Sequence, residues 1–325
     1  MSLETLGWNG RWRELFEVHI SEGLVPARVV GEHRSHFRIA TERAELSAGT
    51  AGRLRNAASQ RSDLPGVGDF VAVSLSKGDG PATIEAVLPR TSALIRKASG
   101  TPEPQLLAAN VDVVFIVTAQ GGDFNLQRMK RYLALVQQSG AAPVIVVNKS
   151  DLGDEIIGLG GAIAGIGPEV PTHAIGARAS DGLRVLEQYF QGNRTVAFVG
   201  SSGVGKSTLT NKLLGRDAQA TQEVRSYDGR GRHTTTFRQL LVRPQGGAIV
   251  DTPGLRGLEL WNADGADERD FDDIERLATQ CRFRNCRHGT EPGCAVRSAT
   301  ALGDLEAERL ADYLAHSGGP TRNAR

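Results

Sequence analysis

Residues 194–215, RTVAFVGSSGVGKSTLTNKLLG, leave this chain little choice of fold. An apolar run leads into a glycine-rich loop and a helix-forming stretch leaves it, which requires a buried strand, a tight loop and a helix. A strand that reads as a continuous apolar run belongs to a parallel sheet covered on both faces. Gly200, Ser201, Ser202, Gly203, Val204, Gly205, Lys206, Ser207 and Thr208 fit the phosphate-loop pattern. Its glycines let successive backbone N–H groups curl around a β-phosphate, and the helix N-terminus adds its positive end. Lys206 is placed to bridge β- and γ-phosphates, a catalytic role, and the Ser207 hydroxyl to ligate Mg²⁺.

The surrounding chain repeats the strand–helix rhythm through VDVVFIVTA (111–119), NLQRMKRYLALVQQS (125–139), APVIVVN (142–148), DGLRVLEQYF (181–190) and GAIVDTPG (247–254). Asn148, Lys149 and Asp151 belong to NKSD, at the end of one apolar strand, where open α/β sheets bind ligands. The Asp151 carboxylate can accept from guanine N1–H and the exocyclic amine. Adenine has no donor at N1, and an unpaired carboxylate costs about 1–3 kcal/mol. Asn148 can bond the base edge and tie its loop to the phosphate loop, while the Lys149 stem covers the base. Alone, the tetrapeptide also suits a helix-capping Asp; beside a phosphate loop it reads as guanine specificity. Residues 175–177, IGA, can offer a backbone N–H to the guanine oxygen, with Gly176 where Ser is usual.

Asp251 ends another apolar strand, and a Mg²⁺-bound water is the partner that makes a carboxylate tolerable there. The Gly254 N–H of the following DTPG turn then senses the γ-phosphate. Residues 228–240, DGRGRHTTTFRQL, read as the mobile loop that closes over Mg²⁺ and γ-phosphate. Thr235 is the preferred metal ligand and Thr234 its competitor. Leu255 follows the Asp-to-Gly turn where a water-orienting glutamine is common. His233 is the nearest substitute as catalytic base, and a purely local packing role stays open. Slow turnover that depends on a partner is expected. The base-reading tetrapeptide also precedes the phosphate loop, the reverse of the ordinary order.

Ahead of this region, Trp12, Leu15, Phe16, His19 and Ile20 fall at helical spacing. Between residues 25 and 97, period-two runs (Val25, Ala27, Val29; Phe37, Ile39; DFVAVSL; ATIEAVL) alternate with Gly/Pro turns. Short strands so spaced suggest a small closed sheet of OB type, with or without a nucleic-acid role. TPEPQ (101–105) reads as a linker. All three cysteines fall in C-x₄-C-x-H-x₅-C, formed by Cys281, Cys286, His288 and Cys294. An odd count argues against a disulfide framework. Three thiolates and an imidazole suit a closed, structural Zn²⁺ site; three unrelated buried thiols are the alternative. A terminal helix is expected near residues 302–316.

No apolar run approaches the roughly 20 residues that span a bilayer, and the start lacks a secretory pattern, so a cytoplasmic protein without membrane contact is expected. A net charge of +1 gives no global electrostatic pull toward nucleic acid. Arginine clusters at 225–243 and 282–297 favour RNA only locally.

The order base motif, GSSGVGKST, HTTT, DTPG, C-x₄-C-x-H-x₅-C resembles the small-ribosomal-subunit biogenesis GTPase family (RsgA, also YjeQ) over most of the chain. The resemblance implies a multidomain protein. Residues 1–97 would hold a helix and an all-β OB-fold barrel that binds RNA. Residues 98–258 would form a circularly permuted α/β P-loop GTPase domain, and 259–325 a small α-helical zinc-binding domain. It also implies binding of GTP or GDP with Mg²⁺ and one Zn²⁺. Hydrolysis would be stimulated by the small ribosomal subunit late in its maturation, with the barrel and zinc domain touching rRNA. His233 matches the histidine proposed as catalytic in that family. A monomer is expected. The competing reading is an RNA-binding assembly module for which GTP is a structural or regulatory ligand. Permutation leads the chain from Gly254 directly into the zinc region, so loss of the γ-phosphate would be positioned to move that region.

Overall fold

The computed structural model describes residues 2–33, 36–76, 78, 80–97, 104–119, 124–148, 163, 165–176, 180–201, 203–215, 238–251, 271, 274, 277–283, 286–289, 291–302, 304, 305, 310, 313 and 314. The chain divides into two units, Met1–Trp261 and Asn262–Arg325.

Five strands near the N-terminus close on themselves: β1 (Val25–His33), β2 (His36–Thr41), β3 (Glu45–Thr50), β4 (Phe70–Ser74) and β5 (Ala82–Val87). β1 pairs antiparallel with both β2 and β4, β2 with β3, β4 with β5, and β3 runs parallel to β5. That circuit is the OB-fold topology. Alternation along the strands fills the barrel with Ala27, Val29, Phe37, Ile39, Val71, Val73 and Ile84. Helix α1 (Gly10–Ile20) starts where Asn9 Oδ1 accepts from Arg11 N at 3.1 Å. It lays Trp12 and Phe16 on Phe70, Ala72 and Leu88. Burying a side chain such as Phe16 stabilises the contact by about 1.5–3 kcal/mol.

The outer face of β1 is covered as well. Residues 27–31 are all buried, so the polar side chain at position 28 is fully enclosed. Arg28 donates from Nε to Gly68 O at 3.1 Å, from Nη2 to Asn110 O at 3.2 Å and from Nη1 to Leu6 O. One guanidinium thereby ties together the N-terminal turn Glu4–Leu6, a barrel loop and the turn that enters the next sheet.

Residues 101–105 read as a linker in the sequence, but Pro104 and Gln105 begin a strand. β6 (Ala93–Lys97) and β7 (Pro104–Ala109) form an antiparallel hairpin. Proline is tolerated as the first residue of a strand because no ladder hydrogen bond needs its nitrogen there.

Six further strands follow: β8 (Val113–Ala119), β9 (Ala142–Asn148), β10 (Thr172–Ala174), β11 (Thr195–Val199), β12 (Arg238–Val242) and β13 (Ala248–Asp251). Their order is β10-β9-β8-β11-β13-β12, and all are parallel except β12 against β13. Helix α3, preceded in the chain by the short α2 (Gly52–Ala57), spans Leu126–Ser139 and stops at Gly140, whose φ of 85° only glycine adopts freely. The sequence assigned residues 228–240 to a mobile loop; Arg238, Gln239 and Leu240 are instead strand. β12 also pairs antiparallel with β1, through Gly31↔Gln239 and Glu32↔Arg238, so one sheet runs from barrel to phosphate-loop domain.

In the second unit, Phe271, Ile274, Val296, Ala299 and Leu305 pack with Cys294. The helix Ala295–Leu302 supplies two of them, whereas most of the expected terminal helix lies outside the described residues. Among the described residues no helix is long and apolar enough to cross a membrane.

Candidate functional site

Strand order reverses direction between β8 and β11, since β9 and β10 extend the sheet one way and β13 the other. Ligand crevices of open α/β sheets form at the carboxyl ends of strands flanking such a point. Four sequence-selected segments leave from that edge: residue 148 ending β9, residue 175 after β10, residue 200 after β11 and residue 251 ending β13.

The loop after β11 needs its glycines for steric reasons. Gly200 has φ 144°, and a Cβ there would sit 2.2 Å from Val117 O. Gly205 has φ 98°, and a Cβ would lie 2.2 Å from Asn148 Nδ2. The loop can therefore press against β8 and the end of β9. Gly205 caps the helix Lys206–Leu214 without a side-chain hydrogen bond to its first turn, so those N–H groups face the loop. Lys206 Nζ donates to Gly200 O at 2.7 Å and also to Ser201 O, which curls the ammonium back over the loop. Val204 is buried beneath it, and Ser201, Gly203, Ser207 and Thr208 stand at least partly accessible.

Asn148 is 1% exposed and donates from Nδ2 to Val204 O at 2.8 Å. This bond joins the end of the base-motif strand to the phosphate loop, 56 residues later in the chain. Replacing Asn148 with alanine removes the donor and leaves a buried carbonyl unpaired, at a cost of about 1–3 kcal/mol. Urea unfolding of Asn148→Ala is expected to report that loss, together with weaker binding of a fluorescent GDP. Ile175 N donates to Val147 O at 2.8 Å, fixing the next loop beside the same strand. Asp251 is 8% exposed and pairs in register with Gln239 of β12. Lys149, Asp151, Ser202, His233, Thr234, Thr235, Gly254 and Leu255 lie outside the described residues.

One residue at this edge escaped sequence reading. Arg128, in the first turn of α3, donates from Nη1 to Ser201 Oγ and so braces the phosphate loop from the β8 side. The available signal was an asparagine-capped helix start, Asn125 accepting from Arg128 N at 2.9 Å, just past a buried strand.

The second unit brings its four sequence-selected ligands together. Sulfur and ring-nitrogen atoms of Cys281, Cys286, His288 and Cys294 all lie within 4.8 Å of one another. Cys281 Sγ is 3.6 Å from His288 Nδ1 and 4.0 Å from Cys294 Sγ, and His288 Nδ1 is 3.4 Å from Cys294 Sγ. A tetrahedral ion with bonds of about 2.0–2.3 Å spaces such ligand atoms roughly 3.5–3.8 Å apart, so the cluster can hold a metal. His288 has φ 57°, a backbone seldom adopted without glycine, which turns its ring toward the thiols. Burial, then the neighbouring Cys294 and Cys281 thiols, push the Cys286 thiol up to about 11. A coordinated ion reverses that direction, because a ligating thiol is deprotonated.

A phosphate-loop sheet whose base-motif strand precedes the loop, carrying an N-terminal OB-fold barrel and a C-terminal Cys/His cluster, defines the class as a circularly permuted GTPase. The chain belongs to the RsgA GTPase family, whose model matches residues 87–261, and is accordingly a GTP hydrolase. It is 43% identical over 291 residues to the small ribosomal subunit biogenesis GTPase RsgA 2 of Lactiplantibacillus plantarum, covering 90% of this chain and 82% of that one. The match to the small ribosomal subunit biogenesis GTPase RsgA of Opitutus terrae is 44% over 323 residues, covering 96% and 88%. Among solved structures, YjeQ from Thermotoga maritima aligns with TM-score 0.55 and 27% identity over 90% of this chain and 97% of that one. The circularly permuted GTPase YloQ shares the fold, with TM-score 0.53 and 24% identity over 93% and 97%.

Proposed function

We propose that this GTPase binds the small ribosomal subunit and hydrolyses GTP in response to it, late in that particle's maturation in the cytoplasm. The observation that carries the reading is the Asn148–Val204 hydrogen bond, in a chain whose relatives are named for small-subunit biogenesis. It holds the base motif against the phosphate loop as one guanine-nucleotide site. We assign residues 1–97 to an RNA-contacting barrel, 98–258 to the GTPase domain and 259–325 to a zinc-bearing domain of a monomer.

In this reading Asp151 accepts from the guanine edge and the Lys149 stem covers its face. N–H groups of residues 200–208 surround the β-phosphate, and Lys206 moves from the loop carbonyls onto the β- and γ-oxygens. Ser207 and Thr235 would ligate Mg²⁺, with Asp251 reaching it through water; a hydroxyl–carboxylate donor set suits that hard cation. When bound, Mg²⁺ neutralises charge on the phosphate oxygens. His233 would orient or deprotonate the attacking water, and the Gly254 N–H would follow the γ-phosphate. Cys281, Cys286, His288 and Cys294 would hold a structural Zn²⁺, suited to a unit whose described core contains few large apolar residues.

Steady-state GTP turnover with and without purified small subunits tests the reading. The subunit is expected to raise turnover by at least about tenfold, as partners that complete GTPase sites do. His233→Ala is expected to lower the stimulated rate by roughly 10²–10⁴ with GDP binding retained. Equal rates with and without subunits would support the assembly-module reading instead.

A further inference from the structure

A cavity of about 380 Å³ opens at the seam between the barrel and the phosphate-loop sheet. That volume lies within the range of small-ligand pockets, about 300–1,000 Å³. Its charge is one-sided: Arg55, Arg61 and Arg238 face it, and Glu32 is the carboxylate among its lining residues. Arg238 is buried and already committed, donating from Nη1 to Leu106 O at 2.7 Å and to Glu32 Oε2 at 3.2 Å. Burial lowers the Arg238 pKa and raises that of Glu32, so each ion is held at a desolvation cost. Arg55 and Arg61 stand exposed at the rim, with Arg55 Nη2 donating to Thr50 O at 2.9 Å. Phe37, Pro65 and Leu106 make the wall apolar.

Two rim guanidiniums form forks that match phosphate oxygens, and an apolar wall accepts a base or ribose. The carboxylates of an acidic peptide would engage the guanidiniums alone and leave the apolar wall unfilled. The wall also includes His36 and Phe37 of β2 and Gly49 and Thr50 of β3, the strands with which OB-folds bind oligonucleotides. Arg238 reaches further. It begins β12, pairs with Glu32 of β1, and is followed by Gln239, which faces Asp251.

We propose that this seam pocket binds one nucleotide of single-stranded RNA, with its phosphate on Arg55 and Arg61 and its sugar or base against Phe37 and Leu106. Arg238 reports occupancy to the strand that borders Asp251. The inference rests on the RNA-contacting reading above and locates the contact that stimulates turnover.

Arg55→Gln with Arg61→Gln tests it, since both side chains are exposed and leave folding intact; circular dichroism and fluorescent-GDP affinity serve as controls. Binding of a fluorescein-labelled ten-residue oligouridylate to the full chain is followed by anisotropy across salt concentrations. The double variant is expected to bind at least about tenfold more weakly at low salt, with a salt slope smaller by about 0.7 for the one lost single-strand phosphate contact. Subunit-stimulated GTP turnover is expected to fall with it. Unchanged oligomer affinity would overturn the proposal, as would no oligomer binding by the parent chain. Uridine monophosphate or polyglutamate competing as well as the oligomer would also overturn it, by showing a free-nucleotide or acidic-peptide site. A double variant still fully stimulated by subunits rejects the pocket and leaves the ribosomal reading intact. A parent chain without stimulation rejects that reading separately.

Discussion

GTP turnover by the Lys206→Ala variant is expected to fall by roughly 10²–10³, about what removing one preorganised electrostatic contact to a transition state costs. Lys206 Nζ donates to Gly200 O and Ser201 O, so the cation is positioned by the loop that it serves. Gly200 is held against Val117 of β8, and Arg128 braces Ser201, which leaves the loop little freedom. On the reading proposed above, truncation removes the cation that faces developing negative charge; it also removes a brace between two loop carbonyls. Both kcat and nucleotide affinity should therefore decline. Phosphate release at saturating GTP separates them, and turnover within about tenfold of the parent would mean that Lys206 does not face the transferred phosphoryl group.

The Arg28→Ala variant is expected to unfold at a free energy about 3–5 kcal/mol below the parent, because it removes one partner from a buried, charged network. The carbonyls of Leu6 and Asn110 lose the Arg28 donor, and Gly68 O is left with Asn110 Nδ2 at 3.2 Å, in a region closed to solvent. The guanidinium also lies over the Phe70 ring, 4.6 Å from its centroid. Burial lowers the Arg28 pKa to about 10, with Asp112 and then Asp69 pulling it back up. The charge thus persists at neutral pH, and its burial is already a cost to the fold. Arg28→Lys should recover only part of the loss, since an ammonium cannot reproduce the planar fork that meets three carbonyls. Equilibrium urea unfolding measures both variants, and a change under about 1 kcal/mol would show that the carbonyls find water instead.

Local chemistry explains which features the sequence disclosed. The phosphate loop was legible because its glycines, lysine and serine fall at fixed spacing within one short turn, where residues 200 and 205 take positive φ. The barrel was legible from alternation, and the Cys281–Cys294 cluster from spacing alone. Arg28 was not, because period-two reading points it outward, and only a distant segment covers that outer face. β12 was hidden for a similar reason. Its five residues, RQLLV, follow a glycine-containing stretch of sequence and gain their strand character from β1 and β13 on either side. The β6–β7 hairpin was masked by prolines that read as a linker, although Pro104 occupies the one strand position that tolerates them. Long-range pairing is what joined the barrel to the phosphate-loop sheet, and no local pattern announces it.

One guanine site on a permuted chain is the centre of this account, and Asp151 gives it the most direct test. An Asp151→Asn variant keeps one acceptor for guanine N1–H but sets an amide donor against the exocyclic amine, and that donor matches the 2-oxo group of xanthine. Competition against a fluorescent nucleotide should show GDP affinity falling at least about tenfold, by roughly 1–3 kcal/mol. Xanthosine diphosphate affinity should rise in the same variant. Unchanged preference for GDP would contradict the account, since it would separate the NKSD tetrapeptide from the phosphate loop that Asn148 holds beside it.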